Sequence, residues 1–221
     1  MDLIINTISN RFRDFLREKD FPCVAAKNAS EKNTLKIMEA DHLACPKDDK
    51  EILSFMYDFT DMYRKTSGGF YSAAIIFKGP QKITEEEFEQ LIWQRLEALH
   101  VLDSARFPHD ARVNADPSSP EYSFSLMEEA FFIIGLHPQS SRPARRFEYP
   151  VLVFNPHAQF DAMKKDQRYE KMKTIVRKRD LAFSGSVNPM LTDFGEASEA
   201  YQYSGKNYLE DNKCPLILNK K

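Results

Sequence analysis

Strand-forming residues cluster in the middle of the chain, and this cluster limits the folds that the sequence can adopt. Residues 122–126 alternate aromatic or apolar side chains with serine, whereas residues 130–136 are almost entirely apolar. The short segment Met127–Glu129 separates them, a spacing that is typical of a β-hairpin. A further short apolar strand is predicted at Val151–Phe154. The centre of the chain therefore predicts strands that pair antiparallel.

Amphipathic helices are predicted on both sides of this segment. Apolar residues recur there at a spacing of three and four, as on the buried face of a helix. The segments with this pattern are approximately Leu3–Glu18, Lys50–Lys65, Thr84–Leu99 and Gln167–Leu181. Thr84 and Glu87 form a capping-box pattern at the start of the third segment. We expect an α+β fold with a mostly antiparallel central sheet covered by helices, in a single domain over residues 1–221.

The remaining segments predict two further strands and a long loop. Residues 21–26 indicate a short strand that begins at a proline, followed by a polar loop, and Phe70–Phe77 indicates another strand because it is aromatic and β-branched. Prolines and acidic residues interrupt His100–Pro120, which is typical of a surface loop.

The amino-acid composition predicts where the protein is located and which partners it does not bind. With 31 Lys and Arg against 33 Asp and Glu, the net charge of −2 predicts neither nucleic acid nor an anionic membrane as a partner. The three cysteines, Cys23, Cys45 and Cys214, lie far apart without a CxxC pair, so neither a disulfide framework nor a structural zinc site is expected. No signal-peptide core or bilayer-length apolar run is present, and a cytoplasmic location is predicted.

The segment from Gly135 to Phe160 contains polar residues whose presence is hard to explain by a role in folding alone. One predicted strand ends in His137-Pro, a second ends in Asn-Pro-His157, and Arg142, Arg145 and Arg146 lie between them. Arginine forks match carboxylates and phosphates, so this cluster predicts an anion clamp. Asn155 and Pro156 predict a helix start that places His157 in the first turn. There the helix dipole favours a neutral ring that is available as a metal ligand or a base.

A second group of polar residues lies near the C-terminus. Glu196 and Glu199 stand three apart among aromatic and hydroxyl side chains in FGEASEAYQYSG. Carboxylates beside aromatic rings suit a guanidinium or an ammonium group, through paired hydrogen bonds and cation–π contacts. Two acids on an exposed helical turn would give the same pattern, so a purely structural role stays open for them.

Several ordered motifs resemble the YqcI/YcgG family over about residues 20 to 215. They are FPCVAAK at 21–27, DPSSPEYSFSL at 116–126, AFFIIGLHPQSSRPARRF at 130–147, LVFNPHAQF at 152–160, SGSVNPML at 184–191 and FGEASEAYQYSG at 194–205. The resemblance implies a haem-dependent N-hydroxylase, a monooxygenase that oxidises a guanidino or amino nitrogen of an arginine-like small molecule. It implies haem b as the iron cofactor, with oxygen or peroxide as the oxidant.

The resemblance also implies roles for individual residues. His157 of the Asn-Pro-His motif and His137 of the His-Pro motif become candidate axial ligands, with His157 favoured as the iron ligand and thiolate ligation by Cys23 left open. Arg142, Arg145 and Arg146 belong to the SRPARR motif and would bind the haem propionates. Glu196 or Glu199 would hold the substrate cation beside the iron.

Two other functions fit the same residues. A haem-binding sensor or carrier needs the histidines and arginines but no substrate acids. A non-haem metalloenzyme would combine His137 and His157 with a carboxylate such as Asp161 or Glu148. Because no flavin or ferredoxin module is recognisable in the sequence, the oxygenase hypothesis requires a separate electron donor, and a homodimer remains open.

Overall fold

The computed structural model describes residues 7–66, 68–188 and 192–205. The strands are β1 (Leu35–His42), β2 (Ser72–Gly79), β3 (Phe124–Leu126), β4 (Glu129–Leu136) and β5 (Val151–Pro156). The helices are α1 (Ile8–Arg17), α2 (Val24–Glu31), α3 (Asp49–Arg64), α4 (Glu85–Asp103), α5 (His157–Lys165), α6 (Tyr169–Ser184) and α7 (Ala200–Tyr203). Short 3₁₀ turns lie at Pro46–Asp48 and Pro143–Arg145.

The strands form one five-stranded sheet in the order β1-β2-β5-β4-β3. The α+β class is confirmed, but the sheet is mixed rather than mostly antiparallel, because β1 and β2 run parallel. These two strands are joined through α3, and such a crossover is how a chain makes a parallel pair. The predicted hairpin is present as β3 and β4, with Met127 and Glu128 at positive φ in its turn.

Two expectations for the first half of the chain were wrong. Residues 24–31 form helix α2 rather than a strand, since Cys23 caps an alanine-rich segment through a hydrogen bond from the Ala26 backbone N–H. The polar stretch after it contains β1, which lies at the sheet edge and exposes Lys36 and Asp41 to solvent. An edge strand pairs with only one neighbour and can carry many polar side chains, so the composition of this stretch did not indicate a strand.

The longer helices lie where they were predicted, but α4 continues to Asp103, so the first residues of the predicted loop His100–Pro120 are helical. The predicted start of α1 at Leu3 lies outside the described residues. The Thr84 hydroxyl accepts from the Glu87 backbone N–H, and the Glu87 carboxylate accepts from the Thr84 backbone N–H, which completes the predicted capping box of α4. Among the described residues, none of the helices is long and apolar enough to cross a membrane.

The two faces of the sheet are covered differently. On what we call the packed face, α3 and α4 lie against alternate residues of the strands, including Ile133 and Phe154, in a continuous apolar core. On the opposite cavity face, α1 and α2 cover one end with a smaller cluster around Phe12 and Leu136. Helix α6 lies over the rest of this face and leaves a cavity between itself and the sheet. This cavity is the setting of the candidate site.

Candidate active site

The cavity has a volume of about 260 Å³ and is mainly apolar. Its floor is the cavity face of β4 and β5, which contributes Ile134, Leu136 and Val153. Its roof is the inner face of α6, where Met172 and Val176 stand one helical turn apart. An apolar cavity with a few polar groups on its walls is the usual form of a small-molecule site.

His157 lines the cavity as the first residue of α5, directly after β5. Its ring is buried, with Nδ1 3.3 Å from Asp161 Oδ2 and Nε2 3.5 Å from Glu199 Oε1. Burial lowers the pKa of His157, but the hydrogen bonds with Asp161 and Glu199 outweigh burial and raise the pKa to about 9. The prediction of a neutral ring was wrong for this reason. Pro156, not Asn155, occupies the N-cap position.

Glu199 is the acid that the structure brings to His157. It is 6% exposed and lines the cavity, with Oε1 facing the imidazole. Its other oxygen, Oε2, is buried and has no hydrogen-bond partner among the described residues. A buried carboxylate oxygen without a partner loses the hydrogen bonds that water would provide. Glu199 is therefore suited to accept from a donor that enters the cavity.

Glu199 reaches the cavity on a segment that we call the strap, residues 192–205. The Ser198 hydroxyl donates to the Pro117 carbonyl at 2.6 Å, which ties the strap to the long loop after α4. Asp193 accepts from the Tyr169 hydroxyl and pairs with Lys173, both on α6. The Phe194 ring packs edge-on against His157 with centroids 4.5 Å apart.

Glu196 does not share this position. It lies exposed on the strap, outside the cavity lining, and its Oε2 accepts from the Asp193 backbone N–H at 3.0 Å. The hydrogen bond closes a local turn of the strap. Of the two predicted substrate acids, the structure brings Glu199 to the cavity and leaves Glu196 at the surface.

The three predicted arginines separate into different environments. Arg145 is 6% exposed and lines the cavity, and its Nη1 donates to the carbonyls of Tyr203 and Gly135. Burial lowers the pKa of Arg145 to about 10, and the described residues place no carboxylate within ion-pair distance of it. Arg142 also lines the cavity but pairs with Asp180 of α6 at 2.6 Å. Arg146 lies outside the lining and donates to the Ser140 carbonyl.

His137 lies away from the cavity. Its ring stacks on Phe88 of α4 with centroids 4.4 Å apart, and it is 1% exposed on the packed face. Burial lowers the pKa of His137 to about 4. The structure therefore places the two candidate histidines in separate environments on the two faces of the sheet.

Cys23 lines the cavity from the start of α2. Burial raises the pKa of its thiol, although backbone hydrogen bonds from Ala26 and Ala25 act in the opposite direction. This environment gives no support to a thiolate at this position.

The metal site that would combine both histidines with a carboxylate is not assembled. Glu148 pairs with Arg11 at 2.5 Å on the surface. Within residues 7–66, 68–188 and 192–205, no three His, Cys, Asp or Glu side chains converge as a metal-binding group.

The contribution of α6 to the cavity was not predicted from the sequence. Its inner face lines the cavity with Tyr169, Met172, Lys173, Val176, Arg177 and Asp180. The spacing of Tyr169, Met172, Ile175 and Val176 predicted the buried face of this helix. Ile175 is instead exposed, because the inward face is shifted round the helix and covers a cavity rather than packed side chains.

Comparison with known proteins identifies the family. The sequence pattern of the YqcI/YcgG family matches residues 12–217, which is most of the chain. The chain belongs to the YqcI/YcgG family. The fold and cavity described above are thus features of a member of this family, and no solved structure shows a significant match to the chain.

Three relatives of the family match most of the chain. YqcI of Bacillus subtilis (strain 168), an uncharacterised protein, is 28% identical over 92% of this chain and 83% of its own length. YcgG of the same organism, also uncharacterised, is 26% identical over 89% and 80%. DcsA of Streptomyces lavendulae, provisionally named an N(omega)-hydroxy-L-arginine synthase, is 24% identical over 92% of this chain and 80% of its own length.

Proposed function

We propose that this protein is a haem-dependent monooxygenase that hydroxylates a nitrogen of a guanidino or amino small molecule. The observation that carries the proposal is the unpartnered Oε2 of Glu199, which is buried beside His157 in an apolar cavity. The provisional name of DcsA supports the same chemistry, because its product carries a hydroxyl group on a guanidino nitrogen.

The residues around the cavity suit a haem in three respects. Apolar walls formed by Ile134, Val153 and Met172 match the flat hydrocarbon surface of a porphyrin. His157 has the Asp161 carboxylate on Nδ1, as metal-ligating histidines commonly do. To bind iron, its Nε2 would have to give up its proton and its contact with Glu199 Oε1. Arg145 offers a buried cation, without a carboxylate partner in the described chain, to an anionic group of the ligand.

When bound, haem would supply the activation of oxygen that no amino-acid side chain provides. The chain would contribute binding and orientation. Glu199 would accept hydrogen bonds from a guanidinium or ammonium group and so orient one nitrogen near His157. The apolar walls would keep water from that nitrogen, and the edge of Phe194 would restrict the His157 ring.

Haem binding is tested by titrating the purified protein with haemin and recording the visible spectrum. We expect a saturable Soret band that is shifted or lost in His157→Ala. The matched control is His137→Ala, which alters a buried histidine outside the cavity and should keep the wild-type band if the variant folds. A spectrum equal to free haemin in the wild-type protein would contradict the proposal.

Substrate binding is tested on the haem-loaded protein with arginine as the probe. We expect arginine to perturb the Soret band, and Glu199→Gln to weaken its binding by about 10- to 100-fold, as for lost hydrogen bonds to a charged group. Glu196→Gln, on the same strap but outside the cavity, should bind like wild type. A normal haem spectrum that no guanidine or amine perturbs would instead favour a haem sensor or carrier.

A further inference from the structure

The charges of the chain are distributed unevenly. Residues 164–181 contain eight Lys or Arg and three Asp or Glu, a net of +5, whereas the whole chain has a net charge of −2. The remainder of the chain is therefore acidic, with a net of −7. This basic segment comprises the end of α5 and most of α6, the helix that covers the cavity.

The outer side of α6 presents these charges to solvent. Lys171, Ile175 and Lys178 are spaced by four and three residues, so they lie along one side of the helix, opposite the residues that line the cavity. All three are exposed, and Leu181, 53% exposed, lies close to the same side. We call this surface the basic face and define it by Lys171, Ile175, Lys178, Arg179 and Leu181.

The cations of the basic face are not neutralised within the described chain. The acids of the same segment are engaged elsewhere, with Asp166 paired to Arg168 and Asp180 paired to Arg142. Glu170 lies 3.8 Å from Lys173, on the inner half of α6. Lys171, Lys178 and Arg179 take part in none of the ion pairs found among the described residues. Their charge is available to a partner.

We propose that the basic face is the docking surface for an acidic one-electron carrier protein of the ferredoxin type. This inference rests on the proposed function, which requires reduction. Hydroxylation of R–NH₂ by O₂ places one oxygen atom in the new N–OH bond and reduces the other to water, with two electrons and two protons taken up. The carrier would deliver the two electrons one at a time.

The position of the basic face suits electron delivery. Helix α6 presents its outer side to the partner and its inner side, through Met172 and Val176, to the cavity. A carrier docked on the basic face would be separated from the cavity by roughly one helix diameter, about 10 Å. Electron-transfer complexes have small interfaces, often steered by complementary charge, and one helix face satisfies both conditions.

Other anionic partners suit this surface less well. The basic face has no exposed aromatic side chain for stacking on single-stranded bases. Its two apolar side chains, Ile175 and Leu181, are too few for the broad apolar face of a helix that lies on a membrane. They do suit the small apolar centre of a protein interface whose rim is charged.

The proposal is tested with a purified, acidic [2Fe–2S] ferredoxin and the haem-loaded protein. Binding is measured by surface plasmon resonance at several salt concentrations, and reduction of the haem by reduced ferredoxin is followed under carbon monoxide in a stopped-flow spectrometer. We expect the double variant Lys171→Glu/Lys178→Glu to weaken binding and slow reduction by about tenfold or more, because it reverses two charges at the centre of the interface.

The matched control is Lys32→Glu/Lys82→Glu, which makes the same charge change at two exposed lysines outside α6. It should retain wild-type binding and reduction. Equal effects of the two double variants, or salt-independent binding, would overturn the docking surface. Tight binding of DNA or anionic vesicles, lost in the α6 variant while ferredoxin binding persists, would overturn it as well.

The two proposals fail in different ways. If the protein binds no haem, the proposed function fails before a carrier is added. If haem binds and dithionite reduces it in every variant, but ferredoxin reduces the wild type and the α6 variant at the same rate, only the docking surface is overturned.

Discussion

The two faces of the sheet differ in how the helices cover them, although the same strands form both faces. On the packed face, the side chains of α4 fill the space above β4, and His137 is stacked on Phe88. On the cavity face, α6 stands off the sheet, and His157 has two acids as neighbours. The comparison shows that one face is filled by packed side chains, while the other holds polar groups around an apolar cavity.

The largest expected effect concerns the polar contacts that hold α6 above the cavity. Asp180, buried, accepts from the Arg142 guanidinium, the Asn188 backbone N–H and the Ser184 hydroxyl. Asp180→Ala leaves the largely buried Arg142 side chain, 12% exposed, without its carboxylate partner, so we expect a loss of about 3–5 kcal/mol in the free energy of unfolding. Urea denaturation measures this loss, and hydrogen exchange should report faster exchange in α6.

The control for this prediction is an ion pair of the same type on the surface. Asp166 pairs with Arg168 at 2.6 Å, but both side chains are more than half exposed. Asp166→Ala should therefore cost less than about 1 kcal/mol. Similar losses in Asp166→Ala and Asp180→Ala would show that α6 does not depend on its buried pair.

The next prediction compares two neighbours on β4. Ile133 is completely buried in the packed face, whereas Ile134 is half-buried and lines the cavity. Ile133→Ala should cost about 2–5 kcal/mol, because it opens a void among packed side chains. Ile134→Ala should cost roughly half of this or less, since part of its surface already faces empty space. Urea denaturation of both variants measures the loss in the free energy of unfolding. Equal losses would contradict the distinction between the packed face and the cavity face.

A loss that develops gradually with pH, rather than at once, is expected from His137. Burial holds the pKa of His137 at about 4, against about 6.5 for an unperturbed histidine. The unfolded chain therefore binds a proton between these values that the folded chain does not. Stability from the neutral ring is complete above pH 6.5 and falls as the pH drops towards 4, by roughly 3 kcal/mol in total.

This contribution is isolated by comparing the wild type with His137→Gln, which does not titrate. Urea denaturation of both proteins from pH 4 to 7 should give a curve that falls more steeply at low pH for the wild type. Parallel curves would mean that the packed face accommodates a charged ring at position 137.

Much of the fold could be predicted from the sequence, because local patterns decide it. Thr84 and Glu87 specify the start of α4, and the alternation before Met127 specifies the hairpin of β3 and β4. Strand β1 was not predicted, because an edge strand with one solvent-exposed side lacks the continuous apolar run of a buried strand. Missing β1 also meant missing the parallel pair that makes the sheet mixed.

The candidate site was predictable only in part. The types of residue were visible in the sequence, and His157, Glu199 and Arg145 do line the cavity. Which of several similar residues would reach it was not visible, since Glu196 and His137 belong to the same motifs and point elsewhere. The charge of His157 depends on Asp161 and on Glu199, 42 positions along the chain, so no local pattern predicts it.

The attachment of the strap has a consequence for how such proteins diversify. Glu199 is presented by a segment fastened to the Pro117 loop and to Lys173 of α6, with no part in the ladder of strands. At the end of the same segment, Ala200 and Tyr203 are fully buried in the core, and the Tyr203 hydroxyl accepts from the Phe124 backbone N–H of β3. An exchange between homologues would therefore leave the sheet intact only if it stopped at Glu199. A graft of residues 192–199 would thus change the acid that lines the cavity while the strands and their core stay the same.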